Sequence, residues 1–220
     1  MTSRPRPFVI AAPSGTGKTT VCRLVVERDP GVELSVSHTT RERRPGEQDG
    51  VAYHFVSRDE FQRLIDAGDF LEWAEYHGHR YGTSRAALEK PLARGHDVLL
   101  EIEVQGARQV RERRSDARLI FLLPPSMDEL AARLRERGTE SAEAAAERLR
   151  LAERELAQAD GLFDYAVVND TLETCLGRLL AILRAEREGE TSALRRRLDP
   201  APALARLRGR SLPPRADRVS

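Results

Sequence analysis

Lys18 and Thr19 directly follow two closely spaced glycines in the run Ala12-Pro13-Ser14-Gly15-Thr16-Gly17-Lys18-Thr19. An apolar stretch at residues 8–11 precedes this run, and a helical pattern follows it. Strand, glycine-rich loop and helix, in that order, are what a phosphate-binding loop requires. Backbone N–H groups of such a loop converge on phosphate oxygens, and the positive end of the next helix adds to the field. The spacing assigns Lys18 to the β- and γ-phosphates of a nucleotide, and the Thr19 hydroxyl to the Mg²⁺ that bridges them. Ala12 stands where the pattern G-x-x-x-x-G-K-[ST] has its first glycine, a departure of one methyl group. A glycine pair alone would read as an ordinary turn; Gly15, Gly17, Lys18 and Thr19 in register after an apolar strand do not.

A second group of residues suits another phosphate. The segment 35–56 sets Arg41, Arg43 and Arg44 among hydroxyls and glycines and closes on Tyr53 and Phe55. Guanidinium forks grip phosphate oxygens bidentately, and tyrosine hydroxyls add oriented donors. Two cationic frameworks in one chain fit a nucleotide that gives a phosphoryl group and a second phosphorylated molecule that receives it. Taken singly, three loop arginines would be a solvated charge run and Glu72 a surface carboxylate on a strand.

The elements that must position these groups follow from periodicity. Val21, Leu24 and Val25 recur at helical spacing, and Asp29-Pro30-Gly31 stops that helix. Ser57 to Glu60 is a capping box opening a short helix that Gly68 ends. Residues 70–76 read as a strand carrying Glu72 and Trp73, residues 79–83 as a loop, and residues 84–94 as a helix. The apolar run at 98–103 presents Glu101 and Glu103 at its end, and 119–123 is a second buried parallel strand. Another capping box, Ser126 to Glu129, opens a helix that passes Arg133 and Arg137. Residues 139–159 are rich in alanine and charge with little apolar stripe, so they predict a weakly packed, mobile helix. A last strand at 164–168 leads through Asn169 into an amphipathic helix bearing Leu172, Leu176, Leu179, Leu180 and Leu183. From Gly189 the pattern dissolves into arginine, proline and alanine, which predicts a basic, disordered tail over 189–220.

Composition narrows the class. The 220 residues suit one globular domain, and a formal net charge of +1 gives no reason to expect a specific nucleic-acid partner. Only Lys18 and Lys90 are lysines, which makes a lysine in the phosphate loop less incidental. Cys22 and Cys175 lack C-x-x-C spacing and fall in helical patterns, so they predict buried thiols in a reducing, cytoplasmic compartment. No run long enough to cross a membrane and no signal-peptide pattern is expected, and the five histidines lack metal-ligand spacing. Self-association is left open.

Over residues 8–188 the sequence resembles the guanylate kinase family. The likeness rests on APSGTGKTT, SHTTRERRPGEQDGVAYHFV, FLEWAEYHGHRYGTS, RLRERGTE and VVND. It implies an α/β fold: a P-loop NTPase core with a parallel sheet flanked by helices (7–34, 96–137, 157–188), a nucleoside-monophosphate-binding insert (35–95) and a mobile helical lid (138–156). It implies Mg²⁺-dependent transfer of the ATP γ-phosphoryl to GMP, and to dGMP. Residues 12–19, from Ala12 through Pro13, Ser14, Gly15, Thr16, Gly17 and Lys18 to Thr19, would bind ATP, with Asn169 near its adenine. Arg41, Arg44, Tyr53 and Tyr81 would hold the GMP phosphate, while Ser37, Glu72 and Thr83 would read the guanine edge. Arg133, Arg137 and Arg148 would close on the transferring phosphoryl. Glu101 and Glu103 stand where the family commonly has aspartates facing the Mg²⁺ waters and the acceptor. The alternatives are a non-catalytic, phosphopeptide-binding module of the same fold and a kinase of similar fold acting on another phosphorylated sugar or nucleotide.

Overall fold

The computed structural model describes residues 4–76, 78–136 and 142–209. Its core is a parallel sheet in the order β2 (Val32–Leu34), β7 (Asp97–Glu101), β1 (Pro7–Ala11), β8 (Arg118–Leu123), β9 (Tyr165–Val168). The inner strands carry apolar runs because both faces are covered, whereas the edge strand β2 reads Val-Glu-Leu with Leu34 exposed. Val9, Ala11, Val98, Leu100, Leu119 and Phe121 point to one face. Phe8, Ile10, Leu99, Ile120, Leu122 and Tyr165 point to the other, against α1 (Lys18–Arg28) and α7 (Leu172–Glu188). The period of two along each strand sorts them.

The insert forms a second sheet in the order β4 (His54–Phe55), β3 (His38–Thr39), β6 (His79–Ser84), β5 (Phe70–Tyr76). Phe61, on α2 (Arg58–Asp66), is fully buried and stacks on Phe70 with centroids 4.5 Å apart. The expected loop at 79–83 is instead strand β6, paired antiparallel with both β5 and β3. Its alternation is masked because Gly82 and Thr83 are buried without being apolar. Helix α3 (Arg85–Ala93), capped by Ser84, returns the chain to the core. A helix not foreseen, α4 (Val104–Arg113), follows β7 and covers the free edge of β5. Gln109 brackets Trp73 there, donating Nε2 to its carbonyl at 2.6 Å and accepting its N–H at 3.3 Å, while Arg113 donates to the Leu71 carbonyl.

Two further expectations are corrected. Helix α6 (Ala142–Gln158) is not weakly packed, because Leu149, Ala152 and Leu156, spaced three and four apart, are buried against α5 (Met127–Glu136) and the sheet. The tail is not disordered through residue 209: it forms α8 (Ser192–Arg197) and α9 (Pro200–Arg208). Leu204 and Leu207 are buried in the core, and Arg208 donates to the Leu156 carbonyl at 2.6 Å. Asp199 caps α9 with Pro200 at its first position, a start signal that the surrounding arginines obscure. Residues 210–220 of the expected tail, and residues 138–141 of the expected lid, lie outside the described residues.

Candidate active site

Functional side chains gather where the parallel strands end. In open parallel sheets the crevice outside the carboxyl ends is where ligands bind. Here β1 runs into the glycine-rich loop, β7 into Glu101 and Glu103, and β9 into Asn169. A cleft of about 350 Å³ opens there, between the core and the insert. Residues 12–19 form one wall; Ser37, Arg44, Tyr53, Glu72 and Tyr81 form the other. Glu101, Glu103 and Arg148 line it as well.

The loop takes its shape from Gly15 (φ +89°) and Gly17 (φ +92°), a region that other residues rarely adopt. A Cβ on Gly15 would also meet Leu134 at 2.8 Å. Ala12, in place of the pattern's first glycine, is buried in the hydrophobic core and closes β1 onto α1. Asn169 does not line the cleft; its Nδ2 donates to the Thr16 carbonyl at 2.7 Å and so props the loop from behind. Lys18 Nζ donates to the Ile102 carbonyl and to Glu103 Oε1, both at 2.9 Å. Burial works against the ammonium, yet Glu103 and Glu101 together hold its pKa above the usual lysine value. Thr19 Oγ1 donates to Glu101 Oε1 at 2.5 Å. A hydroxyl and a carboxylate side by side at the loop are hard oxygen donors of the kind Mg²⁺ takes alongside substrate phosphates, so the residues present fit that ion.

On the facing wall Glu47, not singled out in the sequence, organises the arginines. Its carboxylate pairs with Arg41 at 2.7 Å and accepts the Arg44 N–H at 2.8 Å. Arg41 therefore lies back over the Tyr53 ring, 5.6 Å from its centroid, and outside the cleft lining, while Arg44 reaches in. Tyr53 and Tyr81 pack edge to face. Ser37 Oγ and Thr83 Oγ1 are 3.1 Å apart, and the Thr83 N–H donates to Glu72 Oε1 at 2.9 Å. Thr83 is fully buried and acts on the cleft only through those two neighbours. Glu72 is 4 % exposed. Burial pushes its carboxyl up to about 7 although the Thr83 hydrogen bonds pull the other way, and Glu103 raises it further.

The expected closing arginines divide. Arg148, on α6, lines the cleft. Arg133 instead donates to Glu129 and to the Asn169 carbonyl, at 2.6 and 3.2 Å. Arg137 lies outside the described residues. The inward face of α6 also brings Glu155, which the sequence reading missed; burial and then the Glu103 carboxylate push it up to about 8. Gly106, on α4, lies directly behind Glu72, with no side chain between the helix and that carboxylate.

A parallel sheet with a phosphate loop at its carboxyl edge, facing a small mixed sheet that carries arginine and tyrosine, defines a nucleoside monophosphate kinase of the P-loop class. The family model described as guanylate kinase matches residues 4–186. Guanylate kinase of Sphingopyxis alaskensis is 52% identical over 181 residues, covering 82% of each chain. That of Chromohalobacter salexigens is 47% identical over 203 residues, covering 92% of this chain and 93% of the other. The crystal structure of guanylate kinase from Anaplasma phagocytophilum superposes with a TM-score of 0.70 at 36% identity, covering 84% of this chain and 88% of that one. The chain belongs to the guanylate kinase family, and it is a kinase.

Proposed function

We propose that the chain transfers the γ-phosphoryl group of ATP to GMP and dGMP, in purine nucleotide metabolism and GMP recycling. The observation that carries this reading is the single cleft in which the phosphate loop faces Arg44, Tyr53 and Tyr81, with a buried carboxylate, Glu72, among them. In-line transfer needs donor and acceptor phosphates held together, and positioning with charge stabilisation supplies most of the rate.

On the donor side the loop N–H groups and Lys18 hold the ATP phosphates. Thr19 and Glu101 would hold the Mg²⁺ that accompanies ATP, which would supply neutralisation of phosphate charge. On the acceptor side Arg44, Tyr53 and Tyr81 take the GMP phosphate, and Arg41 joins them by exchanging Glu47 for it. Guanine offers N1–H and N2–H₂ side by side, so an ionised Glu72 accepts both, with Ser37 and Thr83 beside it. Adenine has a lone pair at N1 and meets that carboxylate unfavourably. Arg148, which lines the cleft from the packed helix α6, balances charge on the transferring phosphoryl group, and Arg133 would join it by exchanging Glu129 for that charge.

Among the described residues no helix is long and apolar enough to cross a membrane. Cys22 and Cys175 are free and buried, which supports a reducing, cytoplasmic setting. A coupled assay of ADP production across GMP, dGMP, AMP, UMP and CMP tests the reading. GMP and dGMP should be used far better than the others; equal use of AMP overturns it.

A further inference from the structure

We infer that Gly106 is a positioning residue for guanine recognition: the side chain that α4 lacks there is the space the Glu72 carboxylate occupies. This rests on the reading of Glu72 as the guanine acceptor.

Gly106 lies in the first turn of α4 and is buried. A glycine inside a helix is unfavourable, so its presence calls for a close approach. A Cβ built on Gly106 would stand 2.3 Å from Glu72 Oε2 and 3.1 Å from its Cδ. The next nearest atom, Ile102 Cδ1, would be at 3.4 Å, an ordinary contact. The carboxylate is therefore the one group that a methyl would displace.

Both ends of that carboxylate are defined. Oε1 accepts the Thr83 N–H at 2.9 Å, and Oε2 rests over Gly106. The backbone bearing it is fixed by the same helix face, because Gln109, one turn further along, brackets Trp73. Helix α4 is thus a template: Gln109 holds the strand, and Gly106 sets how far the Glu72 side chain withdraws from the cleft. A carboxylate that must meet two N–H donors at once tolerates little misplacement.

The test is Gly106→Ala, compared with Glu72→Asp and the double variant Gly106→Ala/Glu72→Asp. Alanine is the better helix former, which offsets part of the cost of moving a buried carboxylate that accepts the Thr83 N–H, so the melting temperature should fall by only a small amount. KM for GMP should rise about tenfold or more while KM for ATP stays within about twofold. Glu72→Asp alone should lower kcat/KM for GMP. In the Gly106→Ala background the same change should raise it, because one methylene fewer makes room for the new methyl. That reversal of sign is something a merely structural glycine does not produce. If Gly106→Ala does not fold, the double variant decides: folding with measurable GMP turnover supports the inference, and failure to fold overturns it. An unchanged KM for GMP in Gly106→Ala, with guanine preference lost in Glu72→Gln, overturns the role of Gly106 and leaves Glu72 as the reader. Guanine preference intact in Glu72→Gln removes the reading of Glu72 itself.

Discussion

Lys18 Nζ lies 2.9 Å from Glu103 Oε1, so the cation of the phosphate loop is already paired with a carboxylate from the end of β7. An arriving phosphate exchanges one anion for another at a largely buried ammonium, whose side chain is 14 % exposed. Lys18→Met should therefore leave the fold intact, but lower turnover about 10²–10³-fold, the loss of one preorganised transition-state contact worth about 2.7–4 kcal/mol. GMP binding measured by calorimetry should persist, since Arg44, Tyr53 and Tyr81 are untouched. Turnover within about threefold of the parent contradicts the donor role of Lys18.

Glu72 predicts a pH dependence in two directions. Its folded pKa of about 7 lies above the ordinary glutamate value, so folding favours the neutral form. Its contribution to stability is complete below about pH 4.3 and is lost as pH rises through about 7. Guanine recognition runs the opposite way, because it needs the ionised carboxylate. KM for GMP should fall between about pH 6 and about pH 8. In Glu72→Gln that fall should shrink to what titration of the GMP phosphate itself produces, and kcat/KM for GMP should drop at least about tenfold, with a smaller GMP-to-AMP ratio. Steady-state kinetics at several pH values check both.

Asn169→Ala removes the hydrogen bond that props the Thr16 carbonyl and leaves that buried group unpaired, at a cost of about 1–3 kcal/mol. The effect should be one-sided. KM for ATP should rise severalfold while KM for GMP stays nearly constant, because the loop and not the insert loses its support. Equal effects on both substrates would show that Asn169 acts on the whole core.

The C-terminal helices should matter to stability. Leu204 is 1 % exposed and packs on the same face of the sheet as Leu119 and Phe121. Leu204→Ala should cost about 2–5 kcal/mol, read as a lowered urea midpoint with unchanged slope. Ending the chain after Glu190 should cost at least as much. A midpoint unaffected by either change would mean that α9 contributes nothing to the folded state.

Local motifs were readable in the sequence because their chemistry is contiguous. The loop at 12–19 carries its own geometry, and the serine caps at Ser57 and Ser126 accept the Glu60 and Glu129 N–H groups as their spacing predicts. What escaped was set by contacts between distant segments. Strand β6 shows no apolar alternation because Thr83 is buried for its hydrogen bonds with Ser37 and Glu72. Helix α4 is broken in pattern by Gly106, whose purpose appears only once β5 lies against it. Arg41 reads as a phosphate ligand, but Glu47 six residues later claims it first. The tail misleads most, since so many arginines hide the few leucines that seat α9.

The order of the parallel sheet has a consequence for how the chain is made. Phe8 pairs with Leu99 on one side and with Arg118 on the other, so β1 emerges from the ribosome long before either partner exists. At ordinary synthesis rates the wait is on the order of ten seconds. Throughout it, the apolar run 7–12 stays unpaired and sticky, while the insert sheet can close on its own nearby strands. Nascent chains stalled before β7 should therefore be the ones that aggregate or bind chaperones.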